Sequence, residues 1–390
     1  MATYNKNINK KRIVFITGTR ADFGKIKTLI KALFDSKIFD VHIFATGMHM
    51  LASYGHTVHE IEKHGFPNIY KYINHTENTS MESILANTIS GLGNYFKEFK
   101  PDMVVVHGDR VEALAGALAG SLNNILVAHI EGGEVSGTID EHIRHAISKM
   151  SHIHFVANQE AKTRLLQMGE DSSSIHVIGS PDIDVLNSKK LPSLEIVKKR
   201  YGIKFNKYAI LIYHSVTSEI DLTKKYIKTL VNTLLNSDMN YIVIYPNNDP
   251  GTDMISNEYN TNLMGNSRFK IFQSIRFEYF LTLMKNANFI IGNSSAGVRE
   301  APYCGVPAIN IGSRQNNRIK ATKGVFNCNY KESEILGCIN KFSSKKIRFK
   351  SVKMFGKGDS HKKFLKILKT RSVWNKTIQK QFKDLKLENI

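Results

Sequence analysis

The chain has few cysteines and no long apolar segment. Its 390 residues contain only three cysteines, Cys304, Cys328 and Cys338, which lack the spacing of a metal site and are too few for a disulfide framework. No segment approaches the length of a transmembrane helix, and the first residues show neither the apolar region nor the cleavage site of a signal peptide. These absences predict a protein of the reducing cytoplasm.

Acidic residues are also scarce relative to basic ones. The chain has 34 Asp and Glu against 54 Lys and Arg, which gives a formal net charge of +20. Nucleic-acid binding would explain this excess, but the lysines are concentrated in the C-terminal tail and in 189–207, without interleaved aromatic residues or a binding signature. A solvated basic surface is the favoured interpretation, with general attraction of anionic substrates as the alternative. We expect a small-molecule substrate as the partner, and neither nucleic acid nor a membrane.

Two nucleotide-binding motifs are missing. The glycine-bearing segment after the first predicted strand, residues 18–25, has neither the Gly-x-Gly-x-x-Gly of dinucleotide binders nor the Gly-Lys-Ser/Thr of P-loops. This argues against NAD and ATP as cofactors. Arg20 and Lys25 lie near a predicted helix N-terminus and are candidates for binding a phosphate. A helix entry with solvent-facing charges is the alternative.

Strands and helices are predicted to alternate along the whole chain, which indicates parallel, doubly wound sheets. The fold class is therefore α/β, with two Rossmann-like domains. The predicted strands are 12–17, 41–46, 103–106, 125–130, 153–156, 175–178, 208–213, 241–245, 269–272, 289–291 and 308–311. The predicted helices of the first half are 25–33, 80–98, 112–122, 140–150 and 159–168.

The length suits two domains, because a single hydrophobic core rarely grows to this size. Gly179-Ser180-Pro181 followed by a Lys-rich polar stretch interrupts the pattern and places the domain junction near 181–205. We expect a first domain over 1–181 and a second over 182–359. The tail 360–390 is amphipathic, and we expect it to be helical and to pack back on the first domain.

Ionisable residues directly follow two consecutive buried strands. His107-Gly108-Asp109-Arg110 follows one strand, and His129-Ile130-Glu131-Gly132-Gly133-Glu134 follows the next. Ligands of open α/β sheets bind beyond the carboxyl ends of the strands. Asp109 and Glu131 are therefore predicted to be catalytic carboxylates at one crevice, because perturbed carboxylates concentrate at such sites.

Other polar groups share this position just past a strand in both halves of the chain. A cleft between two facing nucleotide-fold domains is the simplest arrangement that lets all of them contact one ligand. The groups are 18–20, 108–110, Glu131, His214, 293–295 and Arg314.

A run of small residues in the second half suits a diphosphate. Asn293, Ser294, Ser295 and Gly297 follow a buried strand and open a predicted helix, where backbone N–H groups and hydroxyls bind anions. Glu300 is expected further down that helix, accepting from ribose hydroxyls. A tight turn with an N-cap serine is the alternative.

Two further candidates carry ionisable side chains. His214 ends a strand and is predicted to donate to the leaving phosphate or to act as a general acid, although a lone histidine is more often structural. Asp140 and Arg144 are four residues apart on a predicted helix and share a face. We expect Arg144 to tune Asp140, with an exposed ion pair as the alternative.

With these residues in view, the chain resembles the hydrolysing UDP-N-acetylglucosamine 2-epimerases, the sialic-acid pathway enzymes that form N-acetylmannosamine. The resemblance covers about residues 11–340, and the block from Glu131 to Arg144 is its most specific part. One departure is His214-Ser215-Val216-Thr217, where the family usually has His-Pro-Val-Thr. The matching segments are 17–25, 46–49, 107–110, 129–144, 245–249, 292–300 and 312–315.

The resemblance implies two facing domains in the GT-B arrangement, a homo-oligomer, and a role in surface glycan or capsule synthesis. It implies that Asp109, Glu131 and Asp140 are the catalytic carboxylates, with His214 and Arg144 beside them. It also implies that the second domain holds most of the UDP. The expected substrate-binding residues are Arg20, Lys25, His49, Arg110, Glu134, Asn248, Asn293, Ser294, Ser295, Gly297, Glu300 and Arg314.

The implied reaction is elimination of UDP to a 2-acetamidoglucal, followed by hydration. Donors for a departing diphosphate and carboxylates at the sugar are the two groups that such a reaction needs. Two alternatives stay open: the same reaction on UDP-2,4-diacetamido-2,4,6-trideoxyglucose, and sugar transfer by a GT-B glycosyltransferase. No metal ligand set is evident, so the metal requirement is left open.

Overall fold

The computed structural model describes residues 10–76, 79–316 and 323–384. The chain forms two compact units that are not contiguous in sequence. The first unit comprises Met1–Glu134, Ile143–Asp184 and Gly356–Ile390, and the second comprises Val135–His142 and Val185–Phe355. Among the described residues, no helix is long and apolar enough to cross a membrane.

The first unit is built on a parallel sheet whose described strands follow the order β3-β2-β1-β4-β5-β6-β7. Nearly every residue of its central strands is buried, as expected where helices cover both faces of a parallel sheet. The strands are β1 (Arg12–Thr17), β2 (Asp40–Ala45), β3 (Ile69–Lys71), β4 (Met103–His107), β5 (Leu126–Ile130), β6 (Ile153–Val156) and β7 (Ile175–Val177).

The longer helices that connect these strands bury apolar residues at helical spacing. In α1, for example, Ile26, Ile30 and Leu33 recur at helical spacing and pack in the core with Phe15 of β1. The helices are α1 (Arg20–Ser36), α2 (Val58–Glu62), α3 (Met81–Phe99), α4 (Val111–Leu122), α5 (Ile139–Met150), α6 (Gln159–Gln167) and α7 (Pro181–Leu186).

The second unit repeats the plan with a parallel sheet in the order β10-β9-β8-β11-β12-β13 among the described residues. Tyr213, Leu230 and Phe289 lie in its buried apolar cluster. The strands are β8 (Ala209–Ile212), β9 (Tyr241–Ile244), β10 (Phe269–Phe272), β11 (Ile290–Gly292), β12 (Ala308–Ile311) and β13 (Val325–Cys328). The helices are α8 (Leu194–Tyr201), α9 (Thr223–Leu235), α10 (Thr252–Asn262), α11 (Phe277–Asn286), α12 (Ser295–Val298), α13 (Glu300–Tyr303) and α14 (Glu332–Ser343). Short 3-10 helices occur at Gly47–Met50, Ala52–Tyr54, Ser172–Ser174 and Thr217–Leu222.

The C-terminal helices α15 (Ser360–Leu368) and α16 (Arg371–Trp374) belong to the first unit. Phe364, Leu368 and Val373 lie in the same buried cluster as Phe15 and Phe155. The tail therefore supplies part of the first unit's core. Helical structure ends at Trp374 in the described part of the tail, where the sequence predicted that it would continue.

The predicted α/β fold with two doubly wound sheets is confirmed, but the start of one helix and the number of strands were predicted wrongly. Helix α1 begins at Arg20 rather than Lys25, because the Thr19 side chain caps it by accepting from the N–H of Asp22. Strands β3 and β13 were not predicted. Strand β3 is a three-residue edge strand whose side chains are partly exposed, so it lacks the apolar run that reveals a buried strand.

Candidate active site

Each sheet has one point at which the strand order reverses, and charged residues follow the strands at both points. In the first unit β1 lies beside β4, and in the second unit β8 lies beside β11. Ligands of doubly wound folds bind at such switch points. At the switch point of the first unit, Asp22 contacts His107. At the switch point of the second unit, His214 contacts Asn293.

His107, the last residue of β4, lies between two carboxylates. Its Nδ1 is 2.6 Å from Oδ1 of Asp22, and its Nε2 is 3.3 Å from Oε2 of Glu131. Burial alone would lower the pKa of His107, but the carboxylates of Glu131 and Asp22 raise it to about 9. We call Asp22, His107 and Glu131 the buried triad.

Glu131 is held in an uncommon backbone conformation. Its φ of 66° lies in the left-handed region that non-glycine residues rarely adopt. Its backbone N–H donates to the carbonyl of Phe155 on β6 at 2.9 Å, and its Oε1 accepts from the Ser180 hydroxyl. Backbone strain of this kind persists only where the surroundings enforce it, and it is concentrated at active sites.

Asp109 and Arg144 form an ion pair in the first unit. Nη2 of Arg144 donates to Oδ2 of Asp109, and Nη1 donates to the carbonyl of Glu134 at 3.2 Å. Glu134 is itself buried, and its backbone carbonyl orients this guanidinium. The sequence predicted that Arg144 would tune Asp140. The structure instead gives Arg144 a partner outside its own helix.

His49 follows β2 and lies in the short 3-10 helix Gly47–Met50. The sequence placed it against the substrate. In the structure the ring is fully buried, and both nitrogens contact hydroxyls, Nδ1 to Thr57 at 2.7 Å and Nε2 to Thr17 at 3.2 Å. Burial lowers the pKa of His49 to about 4 and keeps the ring neutral. Thr17 also donates to Asp22 at 2.6 Å. His49 is therefore linked to the buried triad through the Thr17 hydroxyl.

The three predicted phosphate-binding cations of the first unit each have a carboxylate beside them. Arg20 starts α1 and lies 3.7 Å from Glu60. Lys25, one turn later, lies 3.6 Å from the buried Asp182. Arg110 directly precedes α4 and lies 3.3 Å from Glu112. All three follow β1 or β4, at the switch point where an anion would bind.

Asn293 holds the backbone of His214 at the switch point of the second unit. Its Oδ1 accepts from the N–H of His214 at 2.7 Å, and its Nδ2 donates to the carbonyl of His214 at 2.8 Å. The N–H of Asn247 donates to Nδ1 of His214 at 3.2 Å. A neutral His214 then carries its ring proton on Nε2, which provides a donor of the kind a diphosphate needs. The predicted contact residue Asn248 follows Asn247 in the loop after β9.

Arg314 binds Asp140, and this pair lies within the second unit. Nη2 of Arg314 is 3.2 Å from Oδ2 of Asp140, and the N–H of Gly137 donates to the carbonyl of Arg314 at 3.1 Å. Asp140 was expected on the first domain with the other two carboxylates. Its segment, Val135–His142, clusters with the second unit because it is bonded to the loop after β12.

The serine-rich segment forms a shorter helix than the sequence predicted. Ser294 caps α12, which begins at Ser295, contains Gly297 and ends at Val298. Glu300 was expected further down the same helix, but the backbone of Arg299 interrupts it and Glu300 begins α13. The side chain of Glu300 is buried.

Sequence reasoning missed three residues of this site: Asp22, His107 and Ser180. His107 and Asp22 are 85 residues apart and meet only because β4 lies beside β1. Ser180 reaches Glu131 across 49 residues. The available signal was sequence position, because all three lie within five residues after the end of a predicted strand. Among the described residues, no group of three or more His, Cys, Asp or Glu side chains is arranged to hold a metal ion.

The fold and these positions define a class: Rossmann-like α/β proteins with two doubly wound sheets. A family profile described as UDP-N-acetylglucosamine 2-epimerase matches residues 31–369. The UDP-N-acetylglucosamine 2-epimerase of Neisseria meningitidis serogroup B is 46% identical over 380 residues, covering 97% of this chain and 100% of that protein. The UDP-N,N'-diacetylbacillosamine 2-epimerase (hydrolyzing) of Legionella pneumophila is 33% identical, covering 95% of this chain and 98% of that protein.

A solved structure agrees with these relatives. Methanocaldococcus jannaschii UDP-GlcNAc 2-epimerase, crystallised in complex with UDP-GlcNAc and UDP, has a TM-score of 0.77 and 25% identity, covering 92% of this chain and 99% of that one. The chain belongs to the UDP-N-acetylglucosamine 2-epimerase family and is an enzyme, an epimerase. The resemblance seen in the sequence motifs is confirmed, and the match extends beyond residue 340, where that resemblance ended.

Proposed function

We propose that this enzyme is a hydrolysing UDP-N-acetylglucosamine 2-epimerase that converts UDP-N-acetylglucosamine and water into N-acetylmannosamine and UDP. The observation that best supports this proposal is the pair of carboxylates after β4 and β5. Asp109 is paired with Arg144 and Glu131 with His107, so both are held as anions at a switch point. The 46% identity to the UDP-N-acetylglucosamine 2-epimerase of Neisseria meningitidis serogroup B supports the substrate.

The reaction needs carboxylates at the sugar and hydrogen-bond donors at the departing diphosphate. Departure of UDP breaks the C1–O bond and develops positive charge at C1, which acidifies the proton on C2. A carboxylate then removes that proton, and a double bond forms between C1 and C2 of the resulting 2-acetamidoglucal. Water adds its hydroxyl to C1, and a proton returns to C2 from the opposite face. The product is the 2-epimer.

We propose that Asp109, Glu131 and Asp140 carry the proton transfers, with Arg144 holding Asp109. The nucleotide is assigned to cations and hydrogen-bond donors, which stabilise the charge that develops on a leaving diphosphate. His214 contributes the Nε2 donor described above. The further proposed contacts are Arg20, Lys25, Arg110, Glu134, Asn248, Asn293, Ser294, Ser295, Gly297, Glu300 and Arg314.

Turnover in deuterated water tests this proposal. UDP-N-acetylglucosamine and UDP-2,4-diacetamido-2,4,6-trideoxyglucose are supplied separately, without an acceptor sugar, and the products are followed by NMR. We expect UDP and N-acetylmannosamine carrying deuterium at C2. Turnover of only the diacetamido sugar would move the assignment to the activity named for the Legionella relative. An unchanged substrate in both reactions would contradict the proposal and favour a sugar transferase.

Two amide variants test the assigned carboxylates. Asp109→Asn and Glu131→Gln keep the side-chain shape but remove the base, and we expect each to lower kcat at least about a thousandfold. The affinity for UDP, measured by calorimetry, should change less than about threefold. Activity that survives in both variants would contradict the assignment. From the resemblance alone we also propose a homo-oligomer, which sedimentation analysis would detect.

A further inference from the structure

The proposed chemistry uses Glu131 but gives no task to the histidine beside it. His107 presents its two ring nitrogens to carboxylates from two different elements, Asp22 on α1 and Glu131 after β5. Its side chain is only 8% exposed. A buried ring with a carboxylate on each side is unfavourable unless the carboxylate charge is balanced, because an unpaired buried charge is strongly destabilising.

The two contacts favour one protonation state of the ring. Only the cationic imidazolium carries N–H groups on both nitrogens, whereas the neutral ring has one donor and one acceptor. A neutral His107 would therefore direct a lone pair at one of its two carboxylates. The pKa of Asp22 points the same way, since burial would raise it but the hydrogen bond and charge of His107 lower it.

We propose that His107 is a positioning residue of the epimerase, held as an imidazolium by Asp22, which fixes Glu131 in place and keeps it ionised for its reaction with the sugar. The proposal rests on the proposed function for its kinetic consequences. Within the buried triad one cation then lies between two anions, and Glu131 is the member that reacts. Asp22 supplies the second negative charge that keeps the proton on His107.

The second oxygen of Glu131 is fixed from the other side. Oε2 faces His107 and Oε1 accepts from the hydroxyl of Ser180, so contacts to both oxygens define the orientation of the carboxylate. Ser180 is fully buried, and its carbonyl accepts from the hydroxyl of Ser360 on α15 at 3.1 Å. The left-handed backbone of Glu131 completes the constraint.

The two other histidines near the buried triad add no competing charge. His49 and His129 are both buried, and desolvation lowers their pKa values to about 4 and about 3. The contacts of His129 suit a neutral ring, because Nε2 lies 2.8 Å from the carbonyl of Gly108 and Nδ1 lies 3.0 Å from the Ser148 hydroxyl. His107 is thus the cationic histidine of this group near neutral pH.

The charge of His107 is measured without any turnover. In protein labelled with nitrogen-15 at histidine, we expect both His107 nitrogens to have the chemical shifts of a protonated ring at pH 8. Asp22→Asn keeps the shape of the side chain but removes its charge, so the ring should lose its proton at a lower pH. Signals of a neutral His107 ring in the wild type at pH 8 would overturn the proposal.

Kinetics tests the positioning role. We expect the alkaline limb of the kcat profile near pH 9 in the wild type, and at least about one pH unit lower in Asp22→Asn. His107→Asn should lower kcat at least about a hundredfold, with KM and the affinity for UDP changed less than about threefold. A purely structural role would leave the pH profile of Asp22→Asn unmoved, and that result would also overturn the proposal.

A matched control is available in the same sheet. His154 on β6 is fully buried and pairs with the carboxylate of Glu170 at 2.9 Å rather than with a member of the triad. His154→Asn should reduce stability but leave kcat and its pH profile within about threefold of wild type. If wild-type enzyme fails to convert UDP-N-acetylglucosamine, the proposed function fails, while the NMR titration still decides the charge of His107.

Discussion

Arg144 binds Asp109 across 35 residues of sequence, and this ion pair joins helix α5 to the turn after β4. The guanidinium is almost completely buried, with its side chain 1% exposed, whereas the Asp109 side chain is 24% exposed. One member of the pair is thus fixed by the protein and the other remains accessible. That asymmetry suits a carboxylate that must reach a substrate while its orientation is maintained.

Substitution of Arg144 should therefore affect both stability and turnover. Arg144→Met leaves Asp109 without its cation, and we expect the free energy of unfolding to fall by about 3 kcal/mol, the lower end for a broken buried pair. Arg144→Lys keeps the charge but loses the planar fork, so kcat should fall at least about tenfold. Urea unfolding and steady-state kinetics measure the two effects.

The exposed pair of Lys31 and Asp35 on α1 provides the control, because surface ion pairs contribute little. Lys31→Met should leave stability and kcat unchanged within error. A double-mutant cycle between Asp109 and Arg144 should give a coupling of at least about 1 kcal/mol. Additive effects of the two substitutions would contradict the pairing.

Gly137 should be essential for the loop that carries Arg314. A Cβ atom at Gly137 would lie 2.5 Å from the carbonyl oxygen of Ser313 and 3.3 Å from that of Arg314, so Gly137→Ala must displace backbone. We expect the affinity for UDP, measured by calorimetry, to fall at least about tenfold, because Arg314 moves with its loop.

Gly93 offers a matched substitution in α3, where an added Cβ meets no atom within 4 Å. Gly93→Ala should raise the free energy of unfolding by about 0.5–1 kcal/mol, since alanine is the better helix former, and leave UDP binding unchanged. Equal UDP affinity in the two variants would show that Gly137 does not support the loop.

Alkaline conditions should weaken the fold through His107. Its pKa is raised from 6.5 to about 9 in the folded chain, so its contribution is fully present below about pH 6.5 and is lost as the pH rises through 9. The shift corresponds to a stability change on the order of 3 kcal/mol. Urea unfolding of wild type and His107→Asn from pH 6.5 to 9.5 should show the two curves converging. Parallel curves would refute this linkage.

Acidic conditions should also weaken the fold, through His49. Its pKa is lowered to about 4 by burial. As the pH falls below about 6.5, the His49 ring is therefore protonated in the unfolded chain but stays neutral in the folded chain. Stability due to the neutral ring is present above about pH 6.5 and is lost as the pH falls towards 4. His49→Gln should flatten this part of the stability curve. His59→Gln, at an exposed ring, should leave it unchanged, and an equal effect of both would argue against the assignment.

The central strands could be predicted because their signal is local. Strands β1 and β6 have the predicted bounds, since continuous apolar, β-branched runs suffice to locate buried strands. Asp109 and Glu131 could be identified as well, because each directly follows such a run. The edge strand β3 could not, since only three residues pair with β2 and their side chains are partly exposed.

The partners of the site residues depend on the order of strands in the sheet, which periodicity does not reveal. Asp22 meets His107 because β1 and β4 are neighbours, although two strands separate them in sequence. Asp140 and Arg314 are 174 residues apart. The helical spacing of Asp140 and Arg144 was a genuine signal. It could not show that each residue has a partner elsewhere in the chain.

The return of the C-terminal helices to the first unit affects the order in which the protein acquires its structure during synthesis. Domains usually fold as they emerge, the N-terminal one first. Here Phe364, Leu368 and Val373 complete the cluster around Phe15 and Phe155, and the ribosome adds them after the whole second unit, which ends at Phe355. The N-terminal part of the first unit must therefore wait, with part of its apolar surface uncovered, until the second unit has been synthesised.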